Sequence, residues 1–191
     1  MSGRTFWSAL WSSEDQTWST PRALVAFVED QLGIEFDLDA AALPLTAVCP
    51  RFIGPPDLAP ENGHASLPAG CVALDALSGA TWPGSVVWLN PPYSRAVGGF
   101  LSEAIRQVYD PASPVRLVVV LIFARTDVKW WHDHAFKASV WGIVKGRIRF
   151  GDQPAGAPAP SVVLVFDADH DPDDGPLAVP FEPTPAQRGR S

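Results

Sequence analysis

The chain has 191 residues, 47% of them hydrophobic, and a net charge of −7, which gives one globular domain with enough interior for a buried core. No apolar run of bilayer length and no cleavable leader stand out, so the expectation is a soluble cytoplasmic protein, and Cys49 and Cys71, lacking metal-like spacing or a secretory context, read as buried or idle thiols. The acidic balance opposes a phosphate-rich partner at first sight, yet Asp167, Asp169, Asp171, Asp173, Asp174 and Glu182 place six acids in one C-terminal stretch and leave the rest of the chain near −1. A near-neutral body with a local basic stripe can still bind nucleic acid, weakly and with strong salt dependence.

Residues 1–17 read as a polar N-terminal tail in which Phe6, Trp7, Leu10 and Trp11 fall on one side of a short helix; packing onto the domain, fraying or a partner surface would each fit. Thr20-Pro21 reads as a helix N-cap followed by proline at the first helical position. Leu24, Val25, Phe27, Val28 and Leu32 then recur at helical spacing up to Gly33. Ile34 to Leu38 is a short strand ending at Asp39, with small Ala40 and Ala41 behind it in place of a glycine-rich turn. Residues 43–70, rich in proline and glycine, read as a loop with at most one short strand near Ala47 to Phe52. Cys71 to Leu74 is a further apolar strand, and Asp75 closes it either as a turn cap or as an acceptor on the sheet's rim.

The stretch Trp88-Leu89-Asn90-Pro91-Pro92-Tyr93-Ser94 carries the most chemistry. Val86 and Val87 feed a strand that two prolines stop at a rigid corner. There the Asn90 side-chain oxygen and the Pro91 carbonyl are two acceptors for the hydrogens of one amino group, and Tyr93 is a flat face for a ring. An exocyclic amine on adenine is a poor nucleophile because its lone pair is delocalised into the ring. Two acceptors that pull on its hydrogens bond more strongly as positive charge grows on nitrogen, so they lower the barrier to attack.

Ser94 can cap a helix whose positions Val97, Phe100, Leu101, Ala104, Ile105 and Val108 share one face, with Gly98 and Gly99 softening its first turn. Pro111 and Pro114 end it, and Arg116 to Phe123 is a near-continuous apolar run, as in a central parallel strand buried on both faces. Strand, helix, strand in this order means α/β. Arg125-Thr126-Asp127 follows at once, with Thr126 a candidate cap, Asp127 suited to a first helical turn, and Arg125 on the same rim as Asn90, within reach of a phosphate. His132 and His134 point in different directions on a helix and lack a third ligand, so no metal is expected; Trp130 and Trp131 read as packing or base-contact residues. From Trp141 to Phe150 the alternation puts Lys145, Arg147 and Arg149 on one face of a strand and Gly146, Ile148 and Phe150 on the other, either a solvated edge or a phosphate contact. Gly151 to Pro160 is a loop, Ser161 to Phe166 an apolar strand that closes the sheet, and residues 167–191 an acidic, proline-rich, irregular tail.

Asn90-Pro91-Pro92-Tyr93 is similar to the catalytic motif of S-adenosylmethionine-dependent amino-methyltransferases. Its surroundings resemble the phage-type DNA N6-adenine methyltransferase family: Trp18-Ser19-Thr20-Pro21, Phe36 to Ala41, Asp75-Ala76-Leu77, Trp82-Pro83-Gly84, Arg125 to Asp127 with Trp130-Trp131-His132, and Lys145 to Phe150 follow in that family's order. The resemblance spans residues 18–166, the expected methyltransferase domain. It implies a class I methyltransferase-like, Rossmann-like α/β fold: a mostly parallel sheet, helices on both faces, an antiparallel last strand. It implies S-adenosyl-L-methionine as cofactor, held by Trp18, Thr20, Pro21, Asp37, Asp39 and Asp75, with Asp39 on the ammonium; without a metal, Asn90, Pro91, Pro92 and Tyr93 would carry out transfer to an adenine of DNA. Ser94, Arg125, Lys145, Arg147 and Arg149 would hold that DNA, and the adenine would be flipped onto Tyr93. Simple helix-turn roles for Trp18 and Pro21 and a surface role for Asp39 stay open on spacing alone. So do an RNA base or a protein glutamine as acceptor, and a non-catalytic nucleic-acid-binding or protein-binding relic of the fold.

Overall fold

The computed structural model describes residues 19–60, 66–93, 95–151 and 155–189. Chain order begins with helix α1 (Arg22–Leu32), then strands β1 (Leu38–Asp39), β2 (Phe52–Gly54), β3 (Cys71–Leu74) and β4 (Val86–Leu89). Helix α2 (Val97–Tyr109), β5 (Leu117–Phe123), α3 (Lys129–His134), β6 (Val140–Val144), β7 (Ser161–Asp167) and β8 (Leu177–Phe181) follow. All eight strands form one sheet in the order β3-β2-β1-β4-β5-β7-β6-β8. Neighbours pair in parallel except at β7, which runs antiparallel to β5 and β6.

Period-two alternation sorts the central strands onto two cores. Leu38, Val87, Leu89, Val118, Val120 and Ile122 join Phe100, Leu101 and Trp131 of α2 and α3 on one face. Phe36, Trp88, Val119 and Leu121 join Leu24, Val25 and Val28 of α1 on the other. Helices therefore cover both faces of a mostly parallel sheet, the class I methyltransferase-like α/β architecture. Between α2 and α3 the approach is close: a Cβ on Gly98 would lie 3.0 Å from the Trp130 Cβ. That glycine lets the two helices meet.

Three elements depart from the sequence expectation. β7 is the antiparallel strand expected at Ser161 to Phe166, but it sits inside the sheet, and a further strand, β8, follows it within the stretch expected to be an irregular tail. Proline is tolerated in β8 because the strand lies at the sheet's edge, where Pro180 pairs with Ile143. Second, β6 stops at Val144, because Gly146 takes a φ of +85° and turns the chain out of the sheet. Lys145, Arg147 and Arg149 are thus not a cationic row on one strand, although Ile148 and Phe150 are buried as the apolar floor. Third, the helix caps differ: Pro21, Ala96 and Val128 stand at the N-caps of α1, α2 and α3, none with a side-chain capping bond. Thr20 and Thr126 do not cap. The N-terminal tail, Trp18 and Ser94 lie outside the described residues.

Candidate active site

The corner begins where β4 ends. Asn90 leaves the last strand residue, Leu89, and its Nδ2 donates to the Thr20 hydroxyl at 3.0 Å, a contact across 70 positions of sequence. Thr20 is buried, and its hydroxyl serves the asparagine rather than the helix. Pro21 takes the cap position, its carbonyl accepting the Leu24 N–H at 2.9 Å. The bond fixes the amide plane and commits its nitrogen, so the side-chain oxygen is the asparagine's acceptor end.

Tyr93 is less open than its sequence context suggested. Its ring stacks on Phe123 with centroids 4.0 Å apart and planes 11° from parallel, and it meets Phe150 edge-on at 5.7 Å. Burial pushes the phenol's ionisation well above its ordinary range. One ring face is therefore covered, and Tyr93 acts as part of an aromatic wall. Phe123 ends β5 on the rim that holds Asn90; sequence reading counted it only as core.

A cleft of about 270 Å³ opens at this corner, lined by Asn90, Pro91, Pro92 and Tyr93 together with Thr20 and Asp39. Asp39 is 3% exposed. Its Oδ1 accepts the Ala41 N–H at 3.2 Å and its Oδ2 the Val48 N–H at 3.1 Å. Burial pushes the carboxyl up to about 6, with both amides and the Arg22 charge pulling the other way. Arg22 braces the same loop by donating to the Ala47 and Val48 carbonyls at 2.9 and 3.2 Å. The small turn behind Asp39 is tied down too, for Ala40 N–H donates to Trp88 and Ala42 N–H to Ile53. A ligand here meets a carboxylate, not a free glycine-rich backbone.

The other two carboxylates of the expected cofactor set do not line this cleft. Asp37 accepts the Ser85 and Val86 amides at 3.0–3.3 Å, at the start of β4 and so at the opposite end of that strand from Asn90. It anchors the sheet's base, which removes it from the cleft. Asp75 sits on the rim after β3 with φ +57°, and its Oδ1 accepts the Leu77 N–H at 3.0 Å; this is turn capping.

A second, larger cleft of about 620 Å³ adjoins the first and shares Tyr93, Phe123 and Pro158 with it. Arg125 lines it as expected for a rim cation, and so does Arg95, which sequence reading passed over. Lys145 instead pairs with Glu182 at 3.2 Å. Arg147 and Arg149 are half-buried, and Nη1 of the first and Nε of the second find no acceptor among the described residues. His132 Nε2 lies 2.9 Å from the Thr126 carbonyl, and no cluster of three metal-ligating side chains occurs among the described residues. Cys49 and Cys71 are buried free thiols, and burial pushes Cys49 up to about 12. No helix among the described residues is long and apolar enough to cross a membrane.

Against the DNA N-6-adenine-methyltransferase of Escherichia phage T1 the chain is 37% identical over 93 residues, 48% of this chain and 30% of the phage protein. Against the DNA N-6-adenine-methyltransferase of Haemophilus phage HP1 it is 26% identical over 119 residues, 62% of this chain and 56% of the relative. The matches thus span about a third and just over half of those relatives. The solved structure of a candidate RNA methyltransferase from Pyrococcus horikoshii aligns with a TM-score of 0.43 at 16% identity, covering 76% of this chain and 80% of that one. Residues 70–171, which hold the corner, β5 and β7, match the model of a protein family, and the chain belongs to that family, DNA N-6-adenine-methyltransferase (Dam).

Proposed function

We propose that this protein transfers a methyl group from S-adenosyl-L-methionine to the N6 amine of an adenine in DNA, the base being flipped out of its stack to reach the corner. The observation that carries this reading is the asparagine amide locked by Thr20 at 3.0 Å, at the mouth of a cleft that also holds the buried Asp39 carboxylate. A carboxylate with lone pairs beyond its two amide partners suits the ammonium of the cofactor. The cofactor supplies an electrophilic methyl on a sulfonium. Asn90 Oδ1 and the Pro91 carbonyl accept the two amine hydrogens and turn the nitrogen lone pair out of the ring, toward that methyl. Held at the Asp39 carboxylate, S-adenosyl-L-methionine would supply the methyl as an electrophile with a neutral thioether as its leaving group, and the surplus amine proton would pass to water. Holding the reactants in line accounts for a large share of the acceleration. Thr20 acts as a positioning residue, since it keeps the amide from rotating its nitrogen toward the substrate.

The test is to incubate the protein with labelled cofactor and unmethylated DNA, digest, and weigh the nucleosides. N6-methyldeoxyadenosine is the expected product. Label found only in RNA nucleosides or in glutamine would move the same chemistry to another acceptor, and no cofactor binding in a calorimetric titration would end the reading.

A further inference from the structure

We propose that the larger cleft, between the residues after the corner and the start of α3, is a binding site for the DNA strand that carries the target: Arg95 and Arg125 hold its phosphates and Trp130 takes the face of a neighbouring base. This rests on the methyl-transfer reading above, whose reacting corner it adjoins.

Charge is the first argument. The whole chain carries more acids than bases, 21 against 14, yet the charged residues lining this cleft are Arg95 and Arg125 alone. Both are exposed. Arg95 has no ion-pair partner among the described residues. Arg125 has only Asp127 at 4.0 Å, with both side chains more than half exposed. Such a pair is loose and screened by solvent, so a phosphate displaces it at little cost. Guanidinium forks match phosphate oxygens two at a time.

Shape is the second. The lining beside the arginines is largely apolar and includes Val97, Ile122, Val128 and Trp130. Trp130 is half-buried and packs against the hydrophobic core, so its indole has less freedom to lose on stacking than an exposed side chain would. Cations alternating with a flat aromatic surface are what a single strand requires, a backbone to neutralise and bases to stack. The cleft also reaches the chemistry: its shared wall with the first cleft includes Tyr93 and Phe123, so a nucleotide in it lies beside the amide that would hold the amine.

The experiment is fluorescence anisotropy of a labelled, adenine-containing DNA oligonucleotide, single-stranded and duplex, over a series of salt concentrations. Arg95→Gln and Arg125→Gln should each weaken binding several-fold. Each should also flatten the plot of log affinity against log salt by about 0.7–0.9, one phosphate contact. Trp130→Ala should weaken binding by roughly 5- to 150-fold with the salt slope unchanged, the worth of one stacked base, and Trp130→Phe should restore part of it. Cofactor affinity by calorimetry should stay at the wild-type value in both arginine variants. An Arg95→Gln/Arg125→Gln double variant with wild-type affinity and slope overturns the site, and so does a wild-type protein that binds neither oligonucleotide. Arginine-dependent binding without N6-methyldeoxyadenosine would leave the site standing and remove the methyl-transfer reading instead.

Discussion

Two clefts meet at the Tyr93–Phe123 stack, and they are built on opposite plans. In the smaller one the amide and the carboxylate are held by internal bonds, Asn90 on Thr20 and Asp39 on the Ala41 and Val48 amides. In the larger one Arg95 and Arg125 stand exposed over apolar walls, without firm internal bonds. The first arrangement fixes atoms before a ligand arrives, which is what a reaction barrier rewards. The second leaves long side chains free to follow a flexible strand, which is what a backbone of repeating charges rewards. On the proposed reading, preorganisation is concentrated where bonds would change, and adaptability where only charge and stacking would be read.

The sharpest way to break this contrast is at Asn90. Asn90→Ala should cut turnover by about 10³-fold, the scale of losing one aligned transition-state hydrogen-bonding group, while calorimetry finds cofactor affinity within twofold of wild type. Near-normal turnover would show that the fixed cleft is not where chemistry occurs. Asp37 then separates scaffold from site on one strand. Asp37→Ala leaves two donors, the Ser85 and Val86 amides, without their acceptor and should cost about 2–3 kcal/mol of stability in a denaturant titration. Its cofactor affinity should not change. A loss of affinity without a loss of stability would return Asp37 to the cofactor set.

Asp37 and Asp39 also show where sequence legibility ends. Local signals located the rim well: two prolines at Pro91 and Pro92, the Val-rich run of β5 and the strand of Cys71 to Leu74 all depend on neighbours in sequence, and all stand in the structure. Which of two carboxylates faces the cleft depends on where β4 begins, a register that no single strand encodes. The Thr20–Asn90 bond spans 70 positions, and a Thr-Pro pair before a helix is a better-known signal for capping than for holding an amide. Gly146 gave a visible warning inside an alternating stretch, since an isolated glycine there often marks a break. β8 was hidden by Pro180 and the acids before it, because an edge strand tolerates what a central strand cannot.

Smaller effects sharpen the comparison further. Asp39 holds its proton up to about pH 6 in the folded protein against an ordinary value of 3.8. An ammonium needs the ionised form, so cofactor affinity should fall by about tenfold per pH unit below pH 6 and be flat in Asp39→Asn. Stability should move in the other direction. The folded state binds this proton more tightly than the unfolded chain, so the wild type loses stability as pH rises from about 4 to about 6, and the variant lacks that slope. Thr20→Val keeps the shape and deletes the acceptor of the amide nitrogen; turnover should fall about tenfold with KM little changed, the worth of one hydrogen bond. An unaltered turnover would mean that the asparagine is oriented by its backbone alone.

The mildest change bears on the cations themselves. Lys145 was expected to share a phosphate-binding face with Arg147 and Arg149, but β6 ends before it and Glu182, just beyond β8, pairs with it at 3.2 Å. Both partners are largely exposed, so Lys145→Ala should shift stability by less than about 1 kcal/mol. A cation already paired with a carboxylate has a partner to give up before it meets a phosphate, whereas Arg95 has no ion-pair partner among the described residues. The salt slope of oligonucleotide binding should therefore stay at the wild-type value in Lys145→Ala and flatten in Arg95→Gln. A loss of slope as large in the lysine variant would place the strand across the 145–149 segment as well, on the α1 side of the corner, and the DNA would then have to wrap both faces of the sheet rather than enter beside α3.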